Sequence, residues 1–293
     1  MNKHDNNLRL GRILRFFLIL TMVLAAGCST PADRMQQRLA LLGDARLDSL
    51  MRGSLAATGG IENWARARRI EADALATIFE PDGAQTLVQQ QLTVEPGEKL
   101  WVSLTSNEPG GVLMEQLDRK GKVQLHVRGK KEGAGASEAQ QLRGTEIKLR
   151  LLAQALTGPA GLLWEGYQLR WAGQERQGGR LTDKIEITGL IFAQVAPDDT
   201  TGNLMTVWID AETQLMDRLW LCFRQEENKL GYLAVDMGDY RKVGSGLMLP
   251  GNIVIQRSDK YQQFRERRIL LLENQRLEVF QKAKRHKLFL GLF

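Results

Sequence analysis

Cysteine is nearly missing from this chain: only two occur in 293 residues, Cys28 and Cys222. No disulfide can staple the body beyond Cys28, so its stability has to come from burial, with Cys222 reading as a small buried apolar residue. Histidine is almost as scarce. Past the first thirty residues there are His126, alternating on a strand, and His286, in a basic end, too few for a histidine metal cluster or a histidine-based triad. H-E-x-x-H, G-x-S-x-G, G-x-x-x-x-G-K-[ST] and Cys-x-x-Cys are all absent. Gly244-Ser245-Gly246 has no third glycine and no strand-to-helix setting, and reads as a hairpin turn rather than a dinucleotide loop. A hydrolase would have to use Asp198-Asp199 or Asp236 and Asp239, which loop and turn chemistry already explains. No catalytic residue, metal ligand or cofactor is assigned, and no enzyme activity is expected.

The uncharged run Phe16 to Ala26 is too short for the roughly 20 apolar residues that a bilayer-spanning helix needs. Arg9, Arg12 and Arg15 precede it and small residues lead from it into Cys28, the three-part layout of a cleaved secretory signal over 1–27. Leu24-Ala25-Ala26-Gly27-Cys28 resembles the lipobox of bacterial lipoproteins, with Ala25 where that family prefers Leu. The resemblance implies that Cys28 is diacylated, freed by cleavage before it and acylated again on its new amino terminus, with palmitate as a typical chain. Burial of acyl carbons is worth about 0.8 kcal/mol per CH₂, and more than one chain anchors stably. Ser29, in a place where enteric bacteria use Asp to retain a lipoprotein at the inner membrane, implies a body held at the outer membrane and facing the periplasm.

Loss of residues 1–27 removes four of 40 basic and one of 34 acidic side chains and leaves a net charge of +3. From Arg257 onward ten Lys and Arg stand against four Asp and Glu, so the body is slightly acidic and no nucleic-acid partner is expected. Lys282, Lys284, Arg285 and Lys287 precede the apolar Leu288–Phe293 and are candidate contacts to lipid headgroups. The alternative for that end is packing as a last strand.

Thr30 before Pro31 signals a helix start, with Met35, Leu39 and Leu42 at helical spacing, and Asp44 can cap a second helix carrying Leu47, Leu50, Met51 and Leu55. Gly59-Gly60-Ile61-Glu62-Asn63-Trp64 reads as a short plug against a sheet. Alternation then takes over. Hairpins are expected between Leu87–Val94 and Leu100–Thr105 around Glu95-Pro96-Gly97-Glu98, and around Arg119-Lys120-Gly121. Residues 129–141 read as a loop. Thr145 is expected to cap a short buried helix that ends at Gly158-Pro159, and strands resume at Leu162–Ala172, Arg180–Thr188, Leu204–Asp210, Gln214–Arg224, Tyr232–Arg241 and Leu249–Arg257, with a polar loop at 196–203. About ten antiparallel strands and three or four helices predict an α+β fold, mainly antiparallel β: a curved half-barrel sheet with helices covering its concave face.

Gly59-Gly60-Ile61-Glu62-Asn63-Trp64, Val207-Trp208-Ile209-Asp210-Ala211-Glu212-Thr213, and Asp239-Tyr240-Arg241-Lys242-Val243 leading through Gly246 to Leu249-Pro250 resemble the LolA/LolB-like lipoprotein-localisation family. That resemblance implies a half-barrel closed by a helical lid over an apolar cavity. The organisation expected is a signal over 1–27, a tether and helices over 28–58, the half-barrel over 59–257 and a basic, apolar tail over 258–293. Leu100, Val102, Leu104, Leu125, Leu219, Leu221, Phe223, Leu233 and Val235 are the candidate cavity lining, and they fit a packed core equally well. Two functions stay open: an envelope lipoprotein holding an acyl chain or other apolar ligand, and a structural or assembly lipoprotein that docks an envelope protein with its core filled.

Overall fold

The structure is a computed structural model that describes residues 30–80, 82–108, 111–129, 138–164, 167–188, 205–226, 229–262 and 264–281. Cys28 and the signal expected over 1–27, the 196–203 loop with Asp198 and Asp199, His286, and the end carrying Lys282, Lys284, Arg285 and Lys287 lie outside those residues.

Helix α1, Pro31–Ala40, starts at a capping box: the Thr30 hydroxyl accepts from the Asp33 amide at 3.1 Å, and the Asp33 carboxylate accepts from the Thr30 amide at 2.8 Å. Hydrogen bonds from the Thr30 amide and then the Thr30 hydroxyl hold the Asp33 carboxyl below its usual range. Asp44 caps α2, Ala45–Ala57, by accepting from the Leu47 amide at 2.9 Å. The chain turns at Gly59, where φ is +111° and a Cβ would meet the Gly246 carbonyl at 2.6 Å; only glycine fits that approach. The plug that follows is α3, Ile61–Arg66. Its Trp64 is fully buried, donates to the Thr58 hydroxyl at 3.1 Å and meets Trp164 edge to face at 6.1 Å.

Strands β1 (Ala67–Phe79), β2 (Gln85–Glu95), β3 (Trp101–Glu108), β4 (Gly111–Leu117) and β5 (Val123–Gly129) form a meander, and α4 (Glu138–Trp164) returns across the sheet. Then come β6 (Gln168–Gln177), β7 (Arg180–Thr188), β8 (Met205–Asp210), β9 (Met216–Glu226), β10 (Lys229–Gly238), the two-residue β11 (Arg241–Lys242) and β12 (Met248–Leu249), β13 (Asn252–Ser258) and β14 (Phe264–Gln281). Twelve strands make one antiparallel sheet in the order β5-β4-β3-β2-β1-β14-β13-β10-β9-β8-β7-β6. Strands β5 and β6 are its two edges, so the sheet is open, and the helices cover one face of it. This is the α+β half-barrel that the sequence predicted.

Two stretches differ from the expectation. Residues 264–281, expected inside a tail, are β14, which lies between β1 and β13 at the centre of the sheet. Leu270, Leu272, Leu277 and Val279 point to the core while Arg268, Glu273 and Arg276 are exposed. A bulge between the Asp73/Arg276 and Ala74/Asn274 pairs shifts the alternation midway, and this hides the strand period in the sequence. The regular turns of α4 do break at Gly158, as expected, but a further helical segment follows where a strand was expected. Gly158 adopts φ +53° and ψ −136°, Pro159 begins a new turn whose missing N–H costs no bond, and the helix continues through Leu162 and Leu163 to Trp164. Thr145 lies inside α4 rather than at its cap.

On the opposite face of the sheet Trp208, Trp220 and Cys222 are buried in a small second cluster with Leu230 and Tyr232. The β13–β14 turn fastens over it: the Trp220 indole donates to the Asp259 carbonyl at 3.0 Å and the Gln262 amide to the Thr206 hydroxyl at 3.1 Å. In the turn after β8 the Asp210 carboxylate accepts from the Glu212 amide at 3.0 Å and the Thr213 amide at 2.7 Å. Behind it Tyr240 donates to the Met216 carbonyl at 2.6 Å, and burial pushes its phenol well above the usual range, which keeps it a neutral donor.

Candidate functional site

The concave face and the helices share one apolar cluster. Val102, Leu104, Leu219, Leu221 and Val235 have no exposed surface, so each meets protein atoms on every side in this conformation. Leu100, Phe223 and Leu233 pack against the same cluster while partly exposed, and Leu125 is partly exposed near the β5 edge.

Two buried carboxylates fasten the helical cover to this face. Glu115 on β4 accepts from the Thr145 hydroxyl at 3.0 Å and from the Lys148 ammonium, both on α4. Asp183 on β7 accepts from Arg46 of α2 at 3.0 Å, from the Trp171 indole at 3.0 Å and from the Gln174 amide at 3.1 Å. A buried carboxylate is stable only with such donors.

At the end of the half-barrel where α1 begins, two hollows flank that helix. One, of about 270 Å³, is bounded by Leu41, Leu42 and Arg38 of the α1 end, by Leu162 and Leu163 beyond the kink of α4, and by Tyr167, Gln168 and Leu169 leading into β6. Five leucines line it together with the polar Arg38, Tyr167 and Gln168, and about half of its exposed lining is polar. The other, of about 600 Å³, is walled by Arg34, Arg38, Arg66, Arg68, Arg69 and Arg119, with Glu95 and Glu98 opposing them. Met35, Leu163, Trp164 and Phe280 supply its apolar part. Arg34 pairs with Glu98 at 2.9 Å, Arg119 with Glu95, and Arg69 lies 2.9 Å from Glu71 while stacking over Phe280 at 4.4 Å. Arg66 donates to the Glu62 carbonyl at 3.2 Å and to the Asn63 amide oxygen. Among the described residues Arg38 and Arg68 have no acceptor. Arg38 and Leu163 border both hollows.

The nine apolar residues that the sequence offered as cavity lining border neither hollow, and both hollows were missed. The arginine wall comes from chain positions far apart, and only Arg66-Ala67-Arg68-Arg69 is legible as a local run. The carboxylates that a hydrolase would use do not assemble among the described residues: Asp236 is held by Arg218 and by Gln256 at 2.7 Å, and Asp239 by Arg241. His126 is exposed, and no group of three metal-ligating side chains occurs among the described residues. No helix in them is long and apolar enough to cross a membrane.

The strand order itself defines an open antiparallel half-barrel under a helical cover, the fold that the LolA/LolB-like resemblance implied. No protein-family model matches the chain and no curated protein matches it. Among solved structures it is similar to a LolA superfamily protein from Nitrosomonas europaea, with 13% identity, 78% of this chain and 93% of the other covered and a TM-score of 0.45. It is also similar to a domain assigned to outer membrane lipoprotein sorting in Vibrio parahaemolyticus, with 11% identity, 79% and 91% covered and a TM-score of 0.42. At this level of identity the likeness says nothing about what this chain binds.

Proposed function

We propose that this chain is an envelope lipoprotein, tethered through Cys28, that receives an acyl chain or similar apolar ligand beneath its helical cover. The observation that carries the reading is the leucine-lined hollow beside α1. Its inner wall, Leu162 and Leu163, is part of the same cluster that fills the concave face, so a ligand entering there meets continuous apolar surface. The kink at Gly158 separates Pro159–Trp164 from the longer part of α4, which gives that wall its own position. Leu41 on the rim is 82% exposed, and Leu41→Glu should cut uptake of a fluorescent long-chain fatty acid about tenfold (about 1.4 kcal/mol) with the melting temperature nearly unchanged. Equal uptake by both proteins would remove the hollow from the account. Intact-mass measurement of the membrane-extracted protein tests the tether: a diacylglyceryl group and an amide-linked chain are expected on Cys28, and an unmodified thiol contradicts it.

A second reading rests on the filled interior. Val102, Leu104, Leu219, Leu221 and Val235 leave no space at their surfaces, as suits an assembly lipoprotein that docks an envelope partner through an open sheet edge such as β6. Absence of any bound lipid in an organic extract, together with no fatty-acid uptake, would favour it.

A further inference from the structure

We propose that the arginine-walled hollow is a binding site for the net-anionic, phosphate-bearing headgroup of a membrane lipid. This rests on the reading that the protein is tethered and takes an amphiphile, and it names the polar end of that ligand.

Charge is the first support. Six arginines oppose two glutamates around one opening of about 600 Å³. Even with Arg34, Arg69 and Arg119 answered by Glu98, Glu71 and Glu95, three guanidinium groups face no carboxylate among the described residues, and of these only Arg66 is bonded, to the neutral Glu62 carbonyl and Asn63 amide oxygen. Arg38 and Arg68 have no acceptor among the described residues, and a guanidinium fork matches two phosphate oxygens at once. The second support is the rest of the wall. Met35, Leu163, Trp164 and Phe280 are apolar, which a free ion does not need and the glycerol and first carbons of a lipid do. The third is continuity: Arg38 and Leu163 also border the leucine-lined hollow, so a headgroup held by Arg38 has an apolar path beside it.

Position is the fourth. Pro31 borders the arginine-walled hollow, and three residues of chain reach at most about 11 Å. An acylated Cys28 therefore keeps Pro31 within about 11 Å of the anchor, comparable with the Debye length of roughly 8–10 Å, so anionic headgroups still act on this end of the protein, attenuated by salt.

Native mass spectrometry of the acylated protein in mild detergent tests the site. Dioleoylphosphatidylglycerol should be retained in preference to zwitterionic dioleoylphosphatidylcholine. The double variant Arg38→Gln/Arg68→Gln should weaken the anionic lipid about tenfold through loss of two charge-assisted contacts, with the melting temperature as in the parent; Arg68→Gln alone, at a residue that borders only the arginine-walled hollow, should weaken it less and leave fatty-acid uptake as in the parent. Millimolar inorganic phosphate should leave the lipid in place; its displacement by phosphate would assign the site to a free ion and overturn the proposal. Equal retention of the two lipids, or a double variant that binds phosphatidylglycerol like the parent, would also overturn it. A protein that takes up no fatty acid yet binds water-soluble glycerophosphoglycerol through Arg38 and Arg68 would sink the proposed function and leave this site standing.

Discussion

The helical cover is fastened at both wings of the sheet by a buried carboxylate, but the two fastenings are built differently. At Glu115 both donors come from the cover, Thr145 and Lys148 of α4. At Asp183 only Arg46 comes from the cover; Trp171 and Gln174 belong to the neighbouring strand. Lifting α4 strands a carboxylate whose side chain is 5% exposed, whereas lifting α2 leaves Asp183 with two sheet donors and releases an arginine already half in solvent. The cover is therefore held firmly over β4 and lightly over β7. The lightly held side is also the side of the leucine-lined hollow, between α1, the end of α4 and the start of β6.

The largest expected effect tests the firm side. Lys148→Met leaves Glu115 buried with the Thr145 hydroxyl alone, and should cost about 2 kcal/mol, a value reduced because Lys148 is 32% exposed. For a domain of this size that lowers the melting temperature by roughly 4–8 °C. Arg46→Met on the light side should cost under about 1 kcal/mol and move the midpoint by no more than about 3 °C. Thermal unfolding of the two variants side by side checks the ranking, and equal shifts would erase the asymmetry.

Much of this arrangement was legible in the residues, and the exceptions have physical causes. Thr30-Pro31 and Asp44 marked two helix starts because capping is local chemistry between residues three apart. The Glu95-Pro96-Gly97-Glu98 hairpin was legible for the same reason. Strand β14 was not: its bulge breaks the alternation, and its arginines next to leucines look like a membrane-facing tail until β1 and β13 are seen on either side. Glu115 and Asp183 were missed as fastenings because nothing in sequence brings Glu115 to Lys148 or Asp183 to Arg46. The same limit hid the arginine hollow, assembled from α1, α3, β1 and the turns after β2 and β4.

Hydrogen exchange resolved by helix tests the central claim most directly, because local opening energies follow how each element is held. Amides of α1 and α2 should exchange faster than those of α4 between Thr145 and Thr157, and adding a long-chain fatty acid should slow exchange in α1 and α2 while leaving α4 little changed. Equal protection in the three helices, or a fatty acid without effect on any of them, would contradict a cover that opens at its lightly held side to admit an apolar ligand.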